Sequence, residues 1–125
     1  MVRLSREEFD EAVSQALTDI PPQFKPYLDQ VIVDVEDFPD RRACEAADID
    51  HPSTLLGLYQ GTPLTERSVE HSGRLPDRIT VYQRNIERLC RTRKQLVRQI
   101  RKTVLHEIGH HFGLDEDDLD ELGYR

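Results

Sequence analysis

Apolar positions near the start of the chain recur as Phe9, Ala12, Val13, Ala16, Leu17 and Ile20, the spacing of a helix with one buried stripe. Ser5 and Glu8 form an S-x-x-E capping box ahead of this run, and Pro21-Pro22 stops it. The period then shortens: Val31, Val33 and Val35 alternate with polar residues, which predicts a half-buried strand. From Phe38 to Ser53 neither period holds, and this segment reads as a loop with a helical turn. "TLLGLYQG", bounded by Gly61, and "DRITVYQ", led in by "SGRLPD", are two further short β-type runs. A long helix is predicted from Thr92, whose T-x-x-Q box with Gln95 precedes an apolar face of Leu96, Val97, Ile100, Val104, Ile108 and Phe112. Gly113 is placed to end it as a left-handed cap, with a shorter helix following from about Asp115 to Leu122. Helices segregated from a few strands make an α+β fold, and residues 1–125 read as one domain.

Composition narrows the class. With 37% hydrophobic and 33% charged residues over 125 positions, the chain can bury a core and keep a polar surface. No apolar run approaches the roughly 18 residues of a membrane span. The opening "MVRLSREEFDEAV" has acids where a signal peptide needs an apolar stretch, so a cytoplasmic protein is expected. Cys44 and Cys90 are too few and too far apart for a disulfide framework or a CxxC pair, and each reads as a buried thiol. The net charge of −7 argues against general affinity for nucleic acid. Charge is unevenly spread, however: Arg84 to Lys102 holds eight bases and one acid, and Asp115 to Glu121 holds six acids in seven positions.

The chemistry lies at the end of the predicted long helix, in "HEIGHHFGLDE". His106 and His110 are four apart, so on a helix both rings project from one face and can reach a single ion at about 2.0–2.1 Å. Glu107 points about 100° around the helix, beside such an ion without ligating it. A zinc ion lowers the pKa of its bound water to about 7, and Glu107 is placed to take the proton as general base. H-E-x-x-H therefore encodes two ligands and a base. Gly109, inside the helix, permits close approach of another backbone or of a substrate. A third ligand must come from Asp115 to Glu121, or from His51 or His71 upstream. Extending the pattern as H-E-x-x-H-x-x-G-x-x-[H/D/E] reaches Glu116, with Asp115 next and Asp118 third. Two imidazoles and one carboxylate would leave zinc an open position, the catalytic arrangement.

These residues, with "LLGLYQGTPLTERS" and "LPDRITVYQRNIE", resemble the small bacterial zincin-like metallopeptidases, or mini-zincins. The resemblance covers roughly residues 55–123. It implies a minimal zincin-like fold: a small mixed sheet of three to four strands, an N-terminal helix, an active-site helix and a short C-terminal helix. It also implies zinc held by His106, His110 and Glu116, with Glu107 as base. The family pattern usually has Asp at the position of Glu116, which keeps Asp115 open as the third ligand. The chain is not a metzincin, because its one methionine is Met1 and no Met-turn can form.

The expected function is a zinc metallopeptidase acting on a peptide or an unfolded protein segment. If "RITVYQ" is a sheet edge it can pair with extended substrate, making Thr80 and Tyr82 candidate substrate-binding residues; an ordinary strand paired on both sides is the competing reading. Candidate oxyanion donors are Tyr82, Tyr124, His111 and Arg84. Asp117, Asp118, Asp120 and Glu121 could each accept the second ring N–H of a ligand histidine. Two other readings fit the same motif: a zinc hydrolase of a non-peptide substrate such as RNA, drawn by the basic run, and a non-catalytic metal-binding interaction domain.

Overall fold

A computed structural model describes residues 1–61 and 77–113. Helix α1 (Arg6–Thr18) starts as its sequence dictates. The Ser5 hydroxyl accepts from the Glu8 amide at 3.1 Å, and the Glu8 carboxylate accepts from the Ser5 amide at 3.0 Å. Its buried side is Phe9, Ala12, Val13 and Ala16. After a 3-10 turn at Pro22–Phe24, a single helical turn α2 (Lys25–Leu28) leads into strand β1 (Val31–Glu36). Val31, Val33 and Val35 pack on the core from β1, while Ile32 faces solvent.

The helical turn expected within the Phe38–Ser53 loop is a short helix, α3 (Arg41–Ala46). Asp40 caps it by accepting from the Ala43 amide at 2.8 Å, and Ala43 and Cys44 are its buried residues. Strands β2 (Gly57–Gln60) and β3 (Asp77–Tyr82) follow. Helix α4 (Gln83–Leu89) comes next, unpredicted because its buried face is largely polar: Gln83, Asn85 and Glu87 lie beside Ile86. Gln83 and Glu87 are hydrogen-bonded internally, whereas the buried Oδ1 of Asn85 has no partner among the described residues and its amide nitrogen is fully used. Asn85 donates to the carbonyls of Pro52 and Leu55, both at 2.7 Å, and thereby fixes the approach to β2.

The long helix α5 (Arg93–Phe112) begins and ends where its pattern indicates. Thr92 accepts from the Gln95 amide at 3.1 Å, but the Gln95 side chain reaches past Thr92 to accept from the Arg91 amide at 2.8 Å. The box is therefore shifted by one residue on its return bond. At the other end Gly113 takes φ +76°, and its amide donates to the Gly109 carbonyl.

The described strands form one mixed sheet in the order β1-β3-β2, with β1 parallel and β2 antiparallel to β3. Residues of α1, β3, α4 and α5 share the main core: Phe9, Ile79, Val81, Ile86, Leu96, Ile100, Val104, Leu105 and Ile108 are fully buried. This is a small α+β fold, with three strands in the sheet among the described residues. The C-terminal helix expected from about residue 115 lies outside the described residues. Cys44 and Cys90 are both free and buried, and burial pushes the Cys90 thiol up from its ordinary range. No helix among the described residues is long and apolar enough to cross a membrane.

The sheet order corrects one expectation. β3 is the central strand, with Thr80 facing Asp34 of β1 on one side and Leu58 of β2 on the other. Both its backbone edges are used in ladders, so "RITVYQ" cannot pair with a substrate. β2 lies at the end of the sheet order instead.

Candidate metal and catalytic site

The last two turns of α5 present His106 and His110 on one face, with ring centres 5.4 Å apart and planes 86° apart. An imidazole nitrogen bound to zinc at about 2.0–2.1 Å puts the ring centre about 3.2 Å from the ion, so two such rings at a tetrahedral angle stand roughly 5 Å apart. The observed spacing fits. Their donor chemistry, two borderline imidazoles, fits zinc as well. Among the described residues no group of three His, Cys, Asp or Glu side chains that could hold a metal ion comes together. Glu116, Asp115, Asp118 and His71 lie outside the described residues. His51 is exposed, and its carbonyl closes the 3-10 turn at Pro52–Thr54 by accepting from the Thr54 hydroxyl at 2.8 Å.

Glu107 is half-buried between α5 and β2. Its Oε1 accepts the backbone amide of Tyr59 at 2.9 Å. That amide belongs to the side of β2 turned away from β3, because Leu58 and Gln60 face β3 on the alternate positions. Burial raises the Glu107 carboxyl above its ordinary range, opposed by the Tyr59 amide and the charge of nearby His110. A carboxylate displaced upward from the usual range, yet held in one orientation, suits a group that takes and returns a proton.

Close contact between β2 and α5 makes this arrangement possible, and Gly57 permits the contact. A Cβ at Gly57 would stand 2.7 Å from Thr103 Cγ2 and 3.3 Å from the Thr80 carbonyl oxygen, with Glu107 Cγ at 3.9 Å. Beside this contact opens a cleft of about 390 Å³, lined by Leu55, Leu56, Gly57, Gln99, Lys102, Thr103, His106 and Glu107. A larger cleft of about 460 Å³ lies between α1 and α5, lined by bases such as Arg93, Lys94 and Arg98. It includes neither His106 nor Glu107, so size does not locate the chemistry here.

The remaining candidates separate clearly. His111 stacks on the Tyr59 ring at 3.9 Å between centres, with its Nε2 3.8 Å from Asp77 Oδ2. The Tyr59 hydroxyl donates to the same Asp77 oxygen at 2.7 Å. His111 thus braces the residue whose amide holds Glu107. Arg84 is committed to Glu87 at 2.8 Å and to Asp37 at 3.6 Å. Thr80 is buried and donates its hydroxyl to Asp34 at 2.7 Å. Tyr82 is buried against Ala43 and Leu55, and burial pushes its phenol up to about 12. Neither Thr80 nor Tyr82 lines the cleft, so the substrate-facing role expected for them is corrected: their strand is internal. Tyr124 and the acids Asp117, Asp120 and Glu121 lie outside the described residues.

Sequence reasoning did not find Gly57, Tyr59, Gln99, Lys102 or Thr103. A signal existed for three of them, since Thr103, Lys102 and Gln99 stand three, four and seven residues before His106 on the same helical face. Nothing local marked the other two, which are brought in by the strand order.

A search of curated proteins returns no match. The sequence model of the zincin-like metallopeptidases, however, matches residues 28–124, which span β1 through the whole of α5 and most of the chain beyond it. With the two imidazoles and the adjacent carboxylate set on one helix against a sheet strand, the chain belongs to the zincin-like metallopeptidase family.

Proposed function

We propose that the protein is a zinc-dependent peptidase in which Glu107 is the general base. The observation that carries this reading is the Glu107 carboxylate, half-buried at one wall of the cleft beside His106 and fixed by the Tyr59 amide. His106 and His110 would hold the zinc, with Glu116 as the third donor and Asp115 as its alternative. When bound, zinc supplies a Lewis acid that polarises the scissile carbonyl and lowers the pKa of water. Because Oε1 accepts the Tyr59 amide, Oε2 of Glu107 takes the proton as water attacks the carbonyl carbon. The same oxygen returns that proton to the departing amide nitrogen as the C–N bond breaks, leaving a new carboxylate and a new amine. An extended peptide in the cleft would lie beside the outer side of β2. Short or unfolded segments, which can adopt that extended form, are the substrates proposed. The two free, buried thiols accord with a cytoplasmic location.

The basic run that draws the RNA reading does not form one surface toward this cleft. Arg84 pairs with Glu87, Arg101 with Asp19, and Arg93 donates to Gln15 of α1, while the groove that Arg93 lines lies against α1. Of that run only Lys102 and the polar Gln99 line the cleft. The peptide reading is therefore preferred.

Digestion of a peptide library by the zinc-loaded protein and by Glu107→Gln tests the proposal. The native chain is expected to cleave, and Glu107→Gln to bind zinc equally while losing at least about 100-fold in rate. Equal cleavage by both would remove Glu107 from the role.

A further inference from the structure

Five residues of α5 line the cleft, and the order of four of them along the helix gives it a direction. Gln99, Lys102, Thr103 and His106 recur at three- and four-residue spacing and occupy one face, opposite Leu55, Leu56 and Gly57. Thr103 is buried at the Gly57 contact, and Gln99 is pinned by donating to the Thr103 hydroxyl at 3.2 Å. Lys102 is different. It is half-buried, and it makes no ion pair or hydrogen bond among the described residues. Arg93 has Gln15 and Arg101 has Asp19, while Lys94 and Arg98, also without a partner among the described residues, line the groove against α1 and not this cleft. Among the described residues one acid lines the cleft, Glu107, and it is turned to the Tyr59 amide.

We infer that the cleft selects peptide segments carrying an acidic side chain, with the Lys102 ammonium as the selecting group. This inference rests on the peptidase reading above for its site but not for its test. Lys102 lies four residues before His106, about 6 Å along the helix axis. An extended peptide advances about 3.3 Å per residue, so the acidic side chain stands about two residues from the bond to be cut. Leu55 and Leu56 supply an apolar wall for the stem of that side chain, and Lys102 supplies the charge at its end. A basic side chain there would meet an ammonium with no counter-charge committed to it. A partly exposed ion pair is worth at most about 1 kcal/mol, which sets the expected discrimination at roughly five-fold.

The test is binding, read without turnover. Zinc-loaded Glu107→Gln protein is titrated with fluorescent peptides identical except for Glu, Gln or Lys two residues from the centre. The inference expects the Glu peptide to bind roughly five-fold tighter than the Lys peptide, with Gln between. Adding Lys102→Glu should invert that order, and Lys102→Gln should flatten it, both with unchanged circular dichroism. An order that is the same in all three proteins would overturn the assignment. If the order inverts as expected while native protein cleaves none of these peptides, the acidic subsite stands and the peptidase reading fails.

Discussion

Glu87 is a carboxylate with 2% of its side chain exposed, in a helix that sequence patterning did not predict. It is tolerated because it is fully engaged. Arg84 donates to it at 2.8 Å, the Leu4 amide at 2.8 Å and Gln83 at 3.2 Å. Gln83 in turn accepts from Arg6 and donates to the Leu4 carbonyl, so this one acid ties the chain start to α4. Truncating it removes the acceptor of the Leu4 amide and of Gln83 and one partner of Arg84, which keeps Asp37 and the Leu4 carbonyl, and Glu87→Ala should cost about 2 kcal/mol in denaturant unfolding. A loss below about 1 kcal/mol would show that the network is not what holds this corner. At this scale the sequence was most legible where residue type and spacing carry the chemistry. His106, Glu107 and His110 could be read directly, since a helix fixes which side chains share a face. The role of Glu87 could not, because one acid in a basic run looks like surface until Leu4, 83 positions away, is brought against it.

Between elements, the contact that matters is β2 against α5. Gly57 allows it, and a methyl group there has to displace Thr103 or the sheet itself. Gly57→Ala should therefore destabilise by about 1–3 kcal/mol, the cost of overpacking a tight contact. Adding Thr103→Ser removes the clashing Cγ2 but keeps the hydroxyl that Gln99 uses, so it should restore much of the loss. A double variant no more stable than Gly57→Ala alone would place the strain at the Thr80 carbonyl instead. α1 and α5 were legible because their caps and apolar stripes are local signals. α3 shows in the sequence only as a helical turn within a loop, being too short for a period, while α4 is hidden because it buries amides and an acid where the period expects hydrocarbon.

For the molecule as a whole, the α+β class and the count of three described strands followed from the order of patterns. The order of strands within the sheet did not. Periodicity says which face of a strand is buried but not which neighbours it pairs with, and so β3 was a possible edge until its two ladders were seen. Placing β2 at the end of the sheet is what turns the Tyr59 amide toward Glu107 and sets the cleft beside the histidines. On the proposed reading this geometry holds one zinc ion on His106 and His110. Equilibrium dialysis of the full chain against zinc, at pH 7.5 with a competing chelator, measures it most directly. The account predicts about one tightly held zinc per native chain, retained by Glu107→Gln and lost from His106→Ala and from His110→Ala, all with native circular dichroism. Zinc held as tightly by the histidine variants as by the native protein would contradict it.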